Sequence, residues 1–117
     1  MTTISIGNGE LTLETLALAA GGGVRFALDD TARGRVAASR AALESIMSRG
    51  EPVYGTNTGF GLLSDVRIAG KDVERLQENL IRSHCAGTGD PLPLPVVRVM
   101  MILRAWVLAA GYSAVRT

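Results

Sequence analysis

Apolar residues recur at strand period near the start of the chain and at helical period over most of the remainder. Ile4-Ser5-Ile6 alternates and stops at Gly7-Asn8-Gly9, which predicts a short edge strand and a turn. Leu13, Leu16 and Leu18 give an apolar side to a helix over Leu11 to Ala20, ended by Gly21-Gly22-Gly23. Val24 to Leu28 alternates again and predicts a second strand pairing with the first. So short a pair needs support from helices. Asp29 or Asp30 is placed to cap a long helix that carries Ala32, Val36, Leu43, Ile46 and Met47 at helical intervals and closes at Gly50-Glu51-Pro52. Its arginines, Arg33, Arg35, Arg40 and Arg49, are assigned to a solvated face.

Leu62 to Gly70 has no clear period and reads as a connector. Lys71-Asp72-Val73 opens a helix whose Val73, Leu76 and Leu80 form one stripe, and His84 falls four residues further along it, so the single histidine is expected to face inward. Gly87-Thr88-Gly89-Asp90-Pro91 ends that helix, and Pro93 or Pro95 suits the opening of the next. The last helix, Val96 to Ala110, is apolar nearly all round and is expected to be buried in protein. The earlier helices carry only single stripes, so its cover is expected from further chain, a second copy or another subunit. The expected architecture is mainly α with a small two-stranded β element. A single domain, 1–117, is divided into an entry segment 1–28, a long helix 29–53, a loop 54–70 and two helices 71–117.

Composition narrows the functional classes. The chain has 117 residues, 47% of them hydrophobic and 20% charged, which is globular rather than disordered. A formal charge of +1 advertises neither nucleic acid nor a membrane surface as a partner. One Cys and one His make neither an intrachain disulfide nor a zinc cage. Arg98 and Arg104 interrupt the apolar run Val96 to Tyr112, which is too short for a spanning helix. Met1-Thr2-Thr3-Ile4 lacks the basic and apolar regions of a secretory leader, so a reducing cytoplasm is the expected location. Lys71 is the only lysine, and nothing around it supports Schiff-base chemistry.

The chemistry concentrates in Tyr54-Gly55-Thr56-Asn57-Thr58-Gly59-Phe60-Gly61, where glycines permit close backbone approach and the polar residues supply hydroxyls and an amide. Most glycine-rich stretches are only turns. A phosphate cradle needs Lys and Ser/Thr after its last glycine, and here Leu62 and Leu63 follow Gly61. The stretch resembles the Tyr-Gly-x-Asn-Thr-Gly-Phe-Gly motif of the aromatic amino-acid ammonia-lyases. Leu76 to Pro93, containing Ser83-His84-Cys85-Ala86-Gly87, is similar to that family's next block, and Gly111 to Arg116 resembles the segment leading to a later one. Trp106 stands where family members commonly have Asn. The histidine-specific branch is the one most resembled.

The resemblance implies the N-terminal segment of the helical lyase fold and elimination of ammonia from L-histidine to give urocanate. It makes Tyr54 the residue that removes the substrate β-proton; a phenol serves as a base only where neighbouring donors or cations favour its anion. It places Ser83 and His84 against the substrate ring, with Asn57 and Gly61 lining the site and Phe60 packing. Cys85 stands where a small residue is common and by itself reads as a buried small hydrophobe. Family members build a methylidene-imidazolone electrophile from an internal Ala-Ser-Gly. No Ala-Ser-Gly occurs in this sequence, and Ala38-Ser39-Arg40 is the nearest string. The group is therefore expected on sequence outside these residues or on a partner lyase chain, and the chain alone is expected to be inactive. A C-terminal lyase chain or a second copy would dock through the apolar helix 96–110. Other readings are a portion of a phenylalanine or tyrosine lyase or an aromatic aminomutase, and, from another class, a non-catalytic oligomerising module that keeps the fold.

Overall fold

The computed structural model describes residues 2–7 and 9–117. Met1 and Asn8, the latter at the middle of the expected Gly7-Asn8-Gly9 turn, lie outside the described residues. In chain order the elements are β1 (Thr2–Ile6), α1 (Leu13–Gly21), β2 (Val24–Leu28), α2 (Asp30–Ser48), a 3-10 turn (Gly61–Leu63), α3 (Gly70–His84) and α4 (Leu94–Ala109). The architecture is mainly α with one small sheet, as the periodicity predicts. Two compact units emerge: one from residues 1–43 and 91–117, the other from 44–90.

In the first unit β1 and β2 pair in parallel, with Thr2 opposite Val24 and Ile6 opposite Leu28. A parallel pair needs a crossover, which α1 supplies. Thr12 Oγ1 accepts from the Thr15 amide at 3.3 Å at the start of α1. Asp29 caps α2: its Oδ1 accepts the Thr31 and Ala32 amides at 2.8 and 3.2 Å. The core is formed by Ile6, Ala32 and Ala109, with Phe26, Leu28, Ala105 and Trp106 packed against them. Trp106 thus fills space beside two alanines, a role the asparagine common in the resembled family would not fill.

Two arginines tie the elements together through carbonyl oxygens. Arg35 Nη2 donates to Gly7 O at 2.7 Å and, more weakly, to Ala109 O at 3.5 Å. Arg98 Nη1 donates to Ala20 O at 3.2 Å, serving a carbonyl in the last turn of α1. The wet face expected for the α2 arginines is therefore only partly so. Arg35 is exposed yet bonds inward to backbone, and Arg40 is half-buried. The expected burial of the last helix is also corrected: Met100, Met101 and Val107 of α4 are 54%, 66% and 59% exposed. One side of α4 packs on α1 and β1, and these short elements are too narrow to cover the rest. No helix among the described residues is long and apolar enough to cross a membrane.

The second unit has little apolar core. Thr58 and Gly59 are its fully buried residues, while Val73, Leu76 and Leu80 of α3 are half-buried, as their stripe predicts. The 3-10 turn and an isolated bridge between Thr58 and Arg67 give structure to the connector after the loop.

Asp29→Ala removes the acceptor of two amides at the start of α2 and is expected to cost about 1 kcal/mol, measured as a lower urea midpoint at unchanged slope. Ala114 is the one non-glycine with positive φ (50°) among the described residues. Ala114→Gly is expected to add about 1 kcal/mol of stability, read as a higher urea midpoint, because glycine pays no Cβ penalty in that region.

Candidate functional site

Most apolar side chains of the loop from Glu51 to Ile68 are exposed, Leu62, Leu63 and Val66 among them, so its shape comes from satisfying its own backbone rather than from burial. The Thr56 and Asn57 amides both donate to Val53 O, at 3.0 and 3.2 Å, which makes a tight turn around Tyr54 and Gly55. Asn57 closes the turn from its side chain. Its Oδ1 accepts the Val53 amide at 2.7 Å and its Nδ2 donates to Glu51 O at 2.9 Å. Buried Thr58 completes the knot, its hydroxyl accepting from the Gly55 amide at 3.3 Å and donating to Gly59 O at 3.1 Å. The strand-like return is held by Gly59 N to Val66 O at 3.0 Å and Ile68 N to Asn57 O at 2.9 Å.

Two glycines are required by geometry. Gly55 has φ of 71°, and a Cβ there would press on the Phe60 ring at 3.2 Å. At Gly59 a Cβ would come within 2.5 Å of Leu63 O, so only glycine lets the 3-10 turn fold back over the loop. Gly61 opens that turn and is exposed.

Tyr54 stands out from this rigid base. It is 66% exposed, its ring meets the edge of Phe60 at a centroid distance of 6.1 Å, and its hydroxyl has no hydrogen-bond partner among the described residues. The phenol is held at one end by the loop and is free at the other, an arrangement suited to a group that exchanges a proton with something bound.

Ser83 and His84 close α3, and here the expected inward orientation is corrected: both are exposed. Partial burial along the α3 stripe ends at Leu80 and every residue from 81 to 90 is exposed, so His84 lies past the covered part of its helix. Its ring turns back on the helix, with Nδ1 2.8 Å from Leu80 O and 3.0 Å from Ser83 Oγ, while Ser83 Oγ donates to Leu80 O at 2.8 Å. A carbonyl can only accept, so the hydrogen at that contact sits on Nδ1 and the neutral ring presents Nε2 as an acceptor. No described residue bonds Nε2. Cys85, expected to be buried, is exposed for the same reason as its neighbour.

Sequence periodicity alone did not single out Gln77. Its half-buried side chain donates from Nε2 to Gly55 O at 2.8 Å and, at a longer 3.5 Å, to Thr56 O. A glutamine within a helix carries no pattern that separates it from a solvated one. The signal lay only in its neighbours, Leu76 and Leu80, which put it beside the apolar stripe.

The precursor of an internal electrophile does not fit these residues. Ser39 of Ala38-Ser39-Arg40 lies within α2 and its Oγ accepts the Ala114 amide at 3.1 Å, and the third residue is arginine rather than the glycine whose nitrogen would close a ring. Among the described residues no group of three or more His, Cys, Asp or Glu side chains could hold a metal ion.

A family model described as aromatic amino acid lyase matches residues 11–117. The chain belongs to the aromatic amino acid lyase family. It is 50% identical over 116 residues to a histidine ammonia-lyase of Anaeromyxobacter sp. (strain K), a match covering 99% of this chain and 23% of that protein. A solved histidine ammonia-lyase from Trypanosoma cruzi superposes with a TM-score of 0.84 at 38% identity, covering 99% of this chain and 22% of the other. A tyrosine aminomutase from Streptomyces globisporus gives 0.90 at 30% identity, covering 98% and 22%. The chain thus spans less than a quarter of the length of these relatives.

The Asn57 ties predict a local effect. Asn57→Ala should expose the Val53 amide and cost about 1–3 kcal/mol. Hydrogen exchange at Val53 is expected to quicken well beyond that of α3 amides, and unchanged protection at Val53 would show that the turn holds without the side chain.

Proposed function

We propose that this chain is the N-terminal portion of a histidine ammonia-lyase-like enzyme, which eliminates ammonia from L-histidine to give urocanate. The observation that carries the reading is 50% identity to a histidine ammonia-lyase across nearly the whole chain. The arrangement of the last turn of α3 supports it. With Nδ1 engaged by Leu80 O, His84 offers Nε2 to a ring that can donate a hydrogen bond, as an imidazole does and a phenyl ring does not. Ser83 Oγ, whose hydrogen goes to the same Leu80 carbonyl, is an acceptor for Nδ1–H in that arrangement.

In this reading Tyr54 takes the β-proton of the substrate, Asn57 and Thr58 hold the loop that carries it, and Gly61 lines the site. The electrophile that lets ammonia leave comes from sequence outside these residues, continuous with them or on a second chain, and the segment alone has no turnover. The open apolar side of α4 is covered in the assembled enzyme by that further lyase sequence or by a second copy. A cytoplasmic enzyme of this kind fits the single exposed cysteine. An aromatic aminomutase is the second reading, favoured by the tyrosine aminomutase likeness at a TM-score of 0.90. The two differ in product, since a mutase returns an amine to the neighbouring carbon.

The test uses the complete enzyme containing this segment, followed by urocanate absorbance and ammonia release. Tyr54→Phe is expected to lower kcat about 10²–10⁴-fold. His84→Leu is expected to lower kcat/KM for L-histidine by about 10–100-fold, the cost of an unpaired ring donor, and to lower it much less for phenylalanine. An enzyme that leaves L-histidine untouched and consumes tyrosine or phenylalanine would overturn the histidine assignment, and a β-amino acid product would favour the mutase.

A further inference from the structure

We propose that Gln77 is a positioning residue that sets the placement of the Tyr54 phenol relative to His84; the proposal rests on the reading of Tyr54 as the base. The hydrogen bonds of the loop divide into two kinds. Those of Asn57, Thr58, Gly59 and Ile68 run within residues 51–68 and fix the loop's internal shape. Among the described residues the only hydrogen bonds from α3 to this loop come from Gln77, whose Nε2 reaches Gly55 O at 2.8 Å and Thr56 O at 3.5 Å.

The bonded carbonyls belong to the Gly55–Thr56 and Thr56–Asn57 peptides, so the tie reaches Tyr54 through the turn that the Thr56 and Asn57 amides close on Val53 O. Seven residues, close to two helical turns, separate Gln77 from His84. They therefore lie on nearly the same face of α3, about 10 Å apart along its axis. One amide thus links the turn that carries the proton-accepting residue to the helix that carries the ring-orienting residue. Its two N–H groups suit two adjacent carbonyls, which a carboxylate or an aliphatic side chain could not serve.

The alternative is that Gln77 only stabilises the second unit. The two roles separate in a double-mutant cycle on the complete enzyme, measuring kcat and KM for L-histidine. The variants are Gln77→Leu, which removes the donor at similar length, and Gln77→Glu, which keeps the shape and replaces the donor by acceptors. Each is made alone and together with Tyr54→Phe. If Gln77 acts by placing Tyr54, each single variant lowers kcat by about 10²-fold with KM changed less than about threefold, because a displacement of about 1 Å at a reacting group has that effect. In the Tyr54→Phe background the same substitutions cost less than about threefold more, since there is no phenol left to misplace.

Equal losses in both backgrounds, or kcat unchanged by both substitutions while Tyr54→Phe is impaired, would overturn the positioning role and leave the proposed function standing. Where Gln77→Leu does not fold, Gln77→Glu decides between the same outcomes. A wild-type enzyme inactive towards L-histidine and other aromatic amino acids, or one indifferent to Tyr54→Phe, would sink the underlying reading and take the Gln77 role with it.

Discussion

The constraint on which the rest of the second unit depends is that a loop whose apolar side chains lie mostly exposed must satisfy its own backbone. Glu51 to Ile68 cannot be held by burial, because Thr58 and Gly59 are its only fully buried residues. It is held instead by side chains standing in for secondary structure, above all the two ends of the Asn57 amide and the Thr58 hydroxyl. An unmet amide in such a place costs more than a single hydrogen bond contributes, so the network holds as a set rather than bond by bond. Rigidity at the base of the loop is what allows Tyr54 to project from it with its hydroxyl uncommitted.

The first unit solves a different problem. Its core is built from small residues, Ala32 and Ala109 among them, so helices and strands approach closely, and the larger Trp106 and Phe26 fill the margin. Its longer-range side-chain ties end on the backbone: two are arginines on carbonyl oxygens, and a third is the Ser39 hydroxyl accepting the Ala114 amide. Arg98 at the end of α1 and Arg35 at Gly7 each meet a backbone acceptor that has no partner within its own element. What this unit leaves unsatisfied is apolar surface, and α4 carries most of it.

Much of this was legible in the sequence, for reasons that can be stated residue by residue. Helix starts were readable where a cap or a proline marks them, Asp29 or Asp30 and Pro93 or Pro95, and the structure selects Asp29 and Pro93; the glycines around Tyr54 marked a loop whose conformation only glycine tolerates. The parallel sense of the sheet was implicit in the helix expected between the two strands, because that helix is the crossover a parallel pair needs, whereas the alternation of the strands alone looks the same in either direction. The orientation of His84 was misjudged because periodicity tells which face a residue shares but not where the covering chain stops. Gln77 escaped because its partners are carbonyl oxygens, which leave no trace in the sequence.

The way the units are cut from the chain bears on how the molecule is made. Residues 44–90 are contiguous, whereas the other unit joins residues 1–43 to 91–117. On a ribosome the polar loop and α3 can therefore reach their folded arrangement while β1, α1 and β2 still lack α4 and the Ala109 that completes their core. The nascent N-terminal strands spend that interval as a short pair without their supporting helix. Synthesis thus opens a window in which residues that emerge before 44–90 are secured after them, and a holdase that recognises extended apolar segments would find Ile4, Ile6 and Phe26 there.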